Sequence, residues 1–264
     1  MQVQRIQNYG YTPQFKSWGR VVYHNIPSKA DYAVKHRNTT SFFRRDMDWP
    51  ALTKFLVDKY KDVSKVNTYC YGCSNGAEPY SLLIQLYSRW PELVANKFMP
   101  IIAKDYDAEA IRVAKAGIVP IEEEELAVVK AVADNREERF LDYVEKTDFG
   151  EYLLTGNVWK MRYNKGYANK MDFSVADIRN DYKNIASENS VVFARNFLPY
   201  LNTSDLFELI RHLGEQMKQN SCLIIGAFDE TDLMSQRGID IEKLLNNAGF
   251  IKADDYLKYV YTKH

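Results

Sequence analysis

Cysteine is scarce in this 264-residue chain: Cys70, Cys73 and Cys222 are the only three. Three thiols cannot build a disulfide framework, and their number fits a reducing compartment. Histidine is nearly as scarce, with four residues. His24, His36, His212 and His264 are scattered and none stands at metal-ligand spacing, so no metal site is expected. Net charge is also missing, with 35 basic residues against 35 acidic ones. The basic excess of a duplex-DNA binder is therefore absent, and no nucleic-acid partner is expected. Glycine and proline, 12 and 8 residues, are too few for a collagen-like or low-complexity protein. Apolar runs such as 191–194 and 222–227 fall far short of the ~20 residues that span a bilayer. The segment from Met1 to Thr12 has no apolar stretch of a secretory signal. These absences point to a soluble chain in the cytoplasm, without direct membrane insertion and long enough to bury a core without staples.

What is present is an alternation. Val66–Tyr71 is β-rich and runs into Gly72-Cys73-Ser74-Asn75-Gly76, and a helical pattern with Pro79 in its first turn follows to about Trp90. Met99–Ala103 then reads as a strand and Asp107–Lys115 as a helix stopped by Gly117. The rhythm breaks over 118–172. There the acidic run Glu122–Glu125 opens a helix expected to reach Glu138, and Tyr152–Tyr163 reads as a small hairpin around Gly156-Asn157. It resumes with strands at Phe173–Ala176, Val191–Ala194 and Cys222–Ala227, and helices at Ser204–Gln219 and Ile239–Asn247. Two last strand-like runs lie near Phe250 and over Tyr256–Tyr261. Strands alternating with helices predict an α/β fold with a doubly wound, mostly parallel sheet, closed by an antiparallel strand at the C-terminal edge. Ahead of it, 1–37 reads as an arm. A helix is expected to start near Asn38-Thr39-Thr40, which are good N-cap residues.

In such a sheet the ligand sits beyond the carboxyl ends of the strands. Gly72 and Gly76 allow close backbone approach there. Asp105 closes the second strand, where a carboxylate can take both hydroxyls of a ribose; the alternative is that it caps the next helix, a role that Asp107 fills equally well. Asp177, at the end of the third candidate strand, either accepts from an adenine amine or caps a turn. Cys70 and Cys73 form a C-x-x-C, but with no second pair zinc is not expected, and Cys70 reads as a buried strand residue.

Four stretches together carry a resemblance. Asn38-Thr39-Thr40-Ser41-Phe42-Phe43-Arg44 resembles the N-x-T-x-F-F-R signature of CheR-type chemotaxis-receptor methyltransferases. Gly72 to Ser81 resembles that family's G-C-S-T-G-E-E-P-Y-S, with Asn75 and Ala77 in place of Thr and Glu. Ala103 to Asp107 is similar to A-T-D-I-D, and Phe193 to Leu201 to F-C-R-N-V-L-I-Y-F, with Pro199 as a departure. The resemblance implies a Rossmann-like class I methyltransferase domain over 38–264 that uses S-adenosylmethionine and esterifies protein glutamates, with a chemoreceptor or other signalling protein as partner. It implies that Glu78 takes the cofactor ammonium and Asp105 the ribose, that Asp177 and Ile178 lie beside the adenine, and that Asn38, Thr40 and Arg44 close over the site. Arg195 and Asn196 are placed on the rim, with Arg44 and Tyr200 as the catalytic pair. The i, i+4 spacing of Thr40 and Arg44 would put them on one face of a helix. The family's inserted β-subdomain is expected at 149–172. Family members carry a helical domain ahead of the first motif where this chain has 37 residues. That keeps two alternatives open: the same chemistry on a small molecule or non-receptor protein, and a cofactor-sensing module without catalysis.

Overall fold

The computed structural model describes residues 40–147 and 158–263. The arm and Asn38 lie outside them, as do the turn residues Gly156-Asn157. Among the described residues, seven strands form one sheet: β1 (Asn67–Tyr71), β2 (Ile101–Asp105), β6 (Met171–Val175), β7 (Ser190–Ala194), β8 (Cys222–Ile224), β9 (Phe250–Lys252) and β10 (Val260–Lys263). Their order is β6-β2-β1-β7-β8-β10-β9. From β6 to β8 every pairing is parallel, while β10 runs antiparallel to both β8 and β9. The antiparallel pair closes that side, with β9 outermost.

Alternate residues along each central strand serve opposite faces. Cys70, Phe193 and Ile224 enter one core, whereas Tyr69, Tyr71, Val192, Ala194 and Leu223 enter the other. The first core is roofed by α1 (Trp49–Lys59), α2 (Ala77–Arg89) and α4 (Ala108–Ala116); α3 (Glu92–Asn96) is a short connector. The second is roofed by α8 (Thr203–Gln216), α9 (Ala227–Arg237) and α10 (Ile241–Asn247). Helices on both faces are what buries a parallel sheet.

A second, antiparallel sheet has the order β3-β5-β4, from β3 (Ile118–Glu122), β4 (Leu141–Thr147) and β5 (Val158–Tyr163). It packs on the α2 side, where Tyr163 stacks on Tyr80. It thus draws on 118–163 rather than 149–172, because Met171 onward belongs to the large sheet. Pro120 disguised β3 in the sequence; it is tolerated because β3 is an edge strand. The acidic helix α5 (Glu123–Val132) stops six residues short of Glu138, where Asp134 and Asn135 take left-handed φ of 56° and 54°. The run 222–227 also splits. The strand ends at Ile224 and Ala227 already opens α9, a helix the apolar pattern concealed.

Candidate functional site

The first parallel strand feeds a turn that only this sequence pattern supports. Gly72, Ser74 and Gly76 have φ of 68°, 50° and 93°. A Cβ on Gly72 would lie 2.8 Å from the Phe197 ring, and one on Gly76 3.0 Å from Phe173. Both positions therefore need glycine for conformation and for space. The turn leads into α2 at the point where strand order reverses between β1 and β7, the usual crevice of a doubly wound sheet.

Asp105 fastens this turn to the second strand. Its Oδ2 accepts from the Ser74 amide at 2.7 Å and its Oδ1 from the Asp107 amide at 2.8 Å. Burial pushes its carboxyl above the ordinary aspartate range, against the pull of those amides. The capping role falls to Asp107, which accepts from Glu109 and Ala110 at the start of α4. Asp105 is thereby left at the crevice. Ser74 Oγ is buried there with no partner among the described residues.

Across the crevice sits a buried ionic hub. Arg195, just past β7, has a fully enclosed side chain. Its Nη1 donates to Glu78 Oε2 at 2.5 Å, its Nη2 to Asp46 Oδ1 at 2.7 Å and its Nε to the Ile225 carbonyl at 3.3 Å. Arg195 was expected on the rim; with these donors committed to protein it reaches the crevice through Glu78. Glu78, in the first turn of α2, also receives the Cys70 thiol at 3.6 Å. Burial pushes the Cys70 and Cys73 thiols well up, so neither is a ready thiolate. Burial works to raise the Asp46 carboxyl too, but the Arg195 charge and the Ala227 amide bring it below its ordinary value. A third carboxylate completes the surroundings. Asp229 is wholly buried and accepts from the amides of Asn196, Leu198 and Gly226 at 2.6, 3.0 and 2.7 Å. Burial raises it to about 7, in spite of those amides and of Arg195.

Several expected roles change in this setting. Asn196 turns away from the crevice. With φ of 61° it lays its side chain on Gly226, where a Cβ would come 2.1 Å from Asn196 Oδ1, and that oxygen accepts from the Phe228 amide. Asp177 is occupied too. It caps the short helix α7 (Ile178–Asp181), and both its oxygens are taken by Arg179, which also reaches Asp205 at the start of α8. The Arg179 fork holds the Asp177 carboxyl below its ordinary value, outweighing the effect of burial. Ile178 is a core residue of the α8 side. Thr40 and Arg44 do not share a helix, because 41–48 forms turns, with Phe43 at φ 46°, and α1 starts only at Trp49 under its Asp48 cap. Buried Phe42 and Phe43 and a bond from the Phe43 amide to Ser81 Oγ set that path instead. Arg44 is half-buried and close enough for its charge to lower Asp46. Tyr200 is 61% exposed in the 3-10 turn Leu198–Tyr200, which Arg237 clamps by donating to the Pro199 and Leu201 carbonyls.

Three features escaped the sequence reading. Asp46 and Asp229 make their partners over long chain separations, and only an acidic residue at the third position of α9 hinted at the second. Tyr106 and Val175 are large apolar side chains exposed at the adjoining ends of β2 and β6 beside Asp105, which strand-end position alone could have flagged.

The model for the CheR methyltransferase, SAM binding domain, matches residues 38–243. The chain belongs to the CheR methyltransferase family. This CheR-family chain is 25% identical over 218 residues to a chemotaxis protein methyltransferase of Listeria monocytogenes, covering 81% of the chain and 72% of that relative. It is 22% identical over 219 residues to chemotaxis protein methyltransferase 2 of Vibrio cholerae, covering 81% and 69%. Among solved structures it is similar to magnesium protoporphyrin IX methyltransferase from Synechocystis with bound SAM, at 15% identity, TM-score 0.40, and coverage of 82% and 78%. The chain is an S-adenosylmethionine-dependent methyltransferase. The CheR crevice fits that cofactor chemically. Its glycine cradle leaves room for close approach, and the carboxylates of Glu78 and Asp46 outnumber the enclosed Arg195 between them, which favours a ligand bearing positive charge.

Proposed function

We propose that this CheR-family methyltransferase esterifies glutamate carboxylates of a protein partner in the cytoplasm, a chemoreceptor or another signalling protein. The observation that carries the reading is the placing of Tyr200. Its phenol stands exposed on a clamped turn one strand end away from the glycine cradle, with Arg44 on the segment that crosses the hub. Two donors of that kind suit a carboxylate acceptor. The names of the curated relatives support the chemotaxis setting.

When bound, S-adenosylmethionine supplies a methyl group activated by its sulfonium. A glutamate is already ionised at neutral pH and needs no general base. A glutamate carboxylate oxygen would accept that methyl group with the neutral thioether as leaving group, so no proton would need to move. In this reading Asp105 holds the ribose and Glu78 faces the cofactor ammonium. Tyr106 and Val175 would flank the adenine, while Tyr200 and Arg44 would orient the acceptor carboxylate toward the methyl group.

The product tests the acceptor class. Methyl label transferred to a carboxylate returns as volatile methanol in mild base; label that survives base rejects the ester. Tyr200→Phe, which removes one exposed hydroxyl, should lower turnover about ten- to a hundredfold, equivalent to ~1.4–2.7 kcal/mol of barrier, with cofactor affinity unmoved. Turnover at the wild-type rate would make Tyr200 a surface residue only.

A further inference from the structure

The segment ahead of α1 is tied to the catalytic end of the sheet by one buried ionic contact, and that contact is shared. Arg195 divides its guanidinium between two carboxylates, with Nη1 on Glu78 and Nη2 on Asp46. The second oxygen of Asp46 accepts from the Ala227 amide at 3.1 Å, where α9 begins. Asp46 therefore joins three chain regions: the turn segment that carries Thr40 and Arg44, the end of β7 and the start of α9. A further ion pair of that segment, Arg45 with Glu124, is 3.8 Å long and two-thirds exposed, so it contributes little.

We infer that Asp46 is a positioning residue that keeps Glu78 available to a cationic ligand group by drawing half of the Arg195 guanidinium to itself. This rests on the reading in which Glu78 faces the cofactor ammonium. The argument is one of charge apportionment. Arg195 offers a planar fork that prefers a bidentate carboxylate. With Asp46 present, Glu78 receives one N–H and retains much of its negative charge for a second cation. Without the Asp46 charge, the whole guanidinium neutralises Glu78, and an arriving ammonium meets a carboxylate already matched. Enclosure of Arg195 magnifies the difference, because solvent screens a buried guanidinium less.

The test compares two ligands on the full chain. S-adenosylhomocysteine carries the amino-acid ammonium, whereas 5′-methylthioadenosine shares the nucleoside and thioether but lacks it. Asp46→Asn, which keeps shape and loses charge, should weaken S-adenosylhomocysteine about tenfold by isothermal titration and leave 5′-methylthioadenosine within about twofold. Asp46→Glu, which keeps the charge, should recover most of the lost affinity. Asp48→Ala serves as the structural control, since it removes the α1 cap in the same segment without touching Arg195. It should lower the melting temperature and leave the ratio of the two affinities unchanged. Equal weakening of both ligands by Asp46→Asn, or the wild-type ratio in that variant, overturns the apportionment while the cofactor reading stands. Failure of the wild type to bind either ligand removes the cofactor reading and this inference with it.

Discussion

The two walls of the crevice are built on different physics. On the β1–β2 wall, position is set by backbone: left-handed φ at Gly72, Ser74 and Gly76, and an Asp105 carboxylate held by two main-chain amides. On the β7–β8 wall, position is set by charge: Arg195 among Glu78, Asp46 and Asp229. A backbone-built wall is local and can be written in one short motif. A charge-built wall needs residues 46, 78, 195 and 229 at once, and it fails if any one of them is unmatched. The first should be most sensitive to changes at its glycines, and the second to changes of side-chain charge.

The strongest test of that contrast removes the centre of the charged wall. Arg195→Met leaves Glu78 and Asp46 buried without their cation, and the loss should be about 3–5 kcal/mol of unfolding free energy, measured by urea titration. A loss below ~1 kcal/mol would mean that the hub is not a structural unit. The next test uses pH. Asp229 is raised in the folded state to about 7, so the folded protein binds more protons than the unfolded chain between the ordinary aspartate value and about 7. The stability from this group is complete below that window and is lost as pH rises through it. Asp229→Asn has no such titration. The stability advantage of wild type over Asp229→Asn should therefore shrink by roughly 2 kcal/mol between pH 5 and pH 8. An advantage that stays constant or grows would mean that Asp229 is ionised throughout, as its three amide donors favour.

On the backbone wall, Asp105→Ala removes the partner of the Ser74 amide together with the proposed ribose contact. Binding of S-adenosylhomocysteine should weaken by ~1.5–3 kcal/mol in a titration. Unchanged affinity would restrict Asp105 to fastening the turn. The smallest effect belongs to Asp177→Asn. Asparagine still caps α7, and the half-exposed Arg179 pair is worth at most ~1 kcal/mol. Melting should shift slightly, and ligand affinity should stay within about twofold. A large loss of affinity would return Asp177 to the adenine and show that Arg179 releases it on binding.

The legibility of the site follows the same division. The turn 72–76, the cap at Asp107, the stop at Gly117 and most of the alternating strands and helices were readable, because each depends on residues a few positions apart; β3 and α9 were not. The roles of Arg195 and Asn196 were not: Arg195 is claimed by Glu78 and Asp46, 117 and 149 positions earlier, and Asn196 is set by Gly226 and Asp229, 30 and 33 positions later. At Asp177 the cap, one of the two readings left open, is what the structure shows, and a neighbour two residues on, Arg179, holds the carboxylate in a geometry that spacing does not specify.

By itself the sequence determined a doubly wound α/β sheet with a glycine turn after its first strand, and through four spaced motifs it determined the family. Periodicity and φ-demanding glycines act locally, so they survive as pattern. Only the tertiary structure decided which carboxylates share Arg195, that 41–48 crosses the site as turns rather than as a helix, and that the small sheet is assembled from 118 to 163. Those outcomes depend on which groups are buried together. In a low-dielectric interior a charge must find its partner wherever packing has placed it, and nothing in the linear spacing encodes that choice.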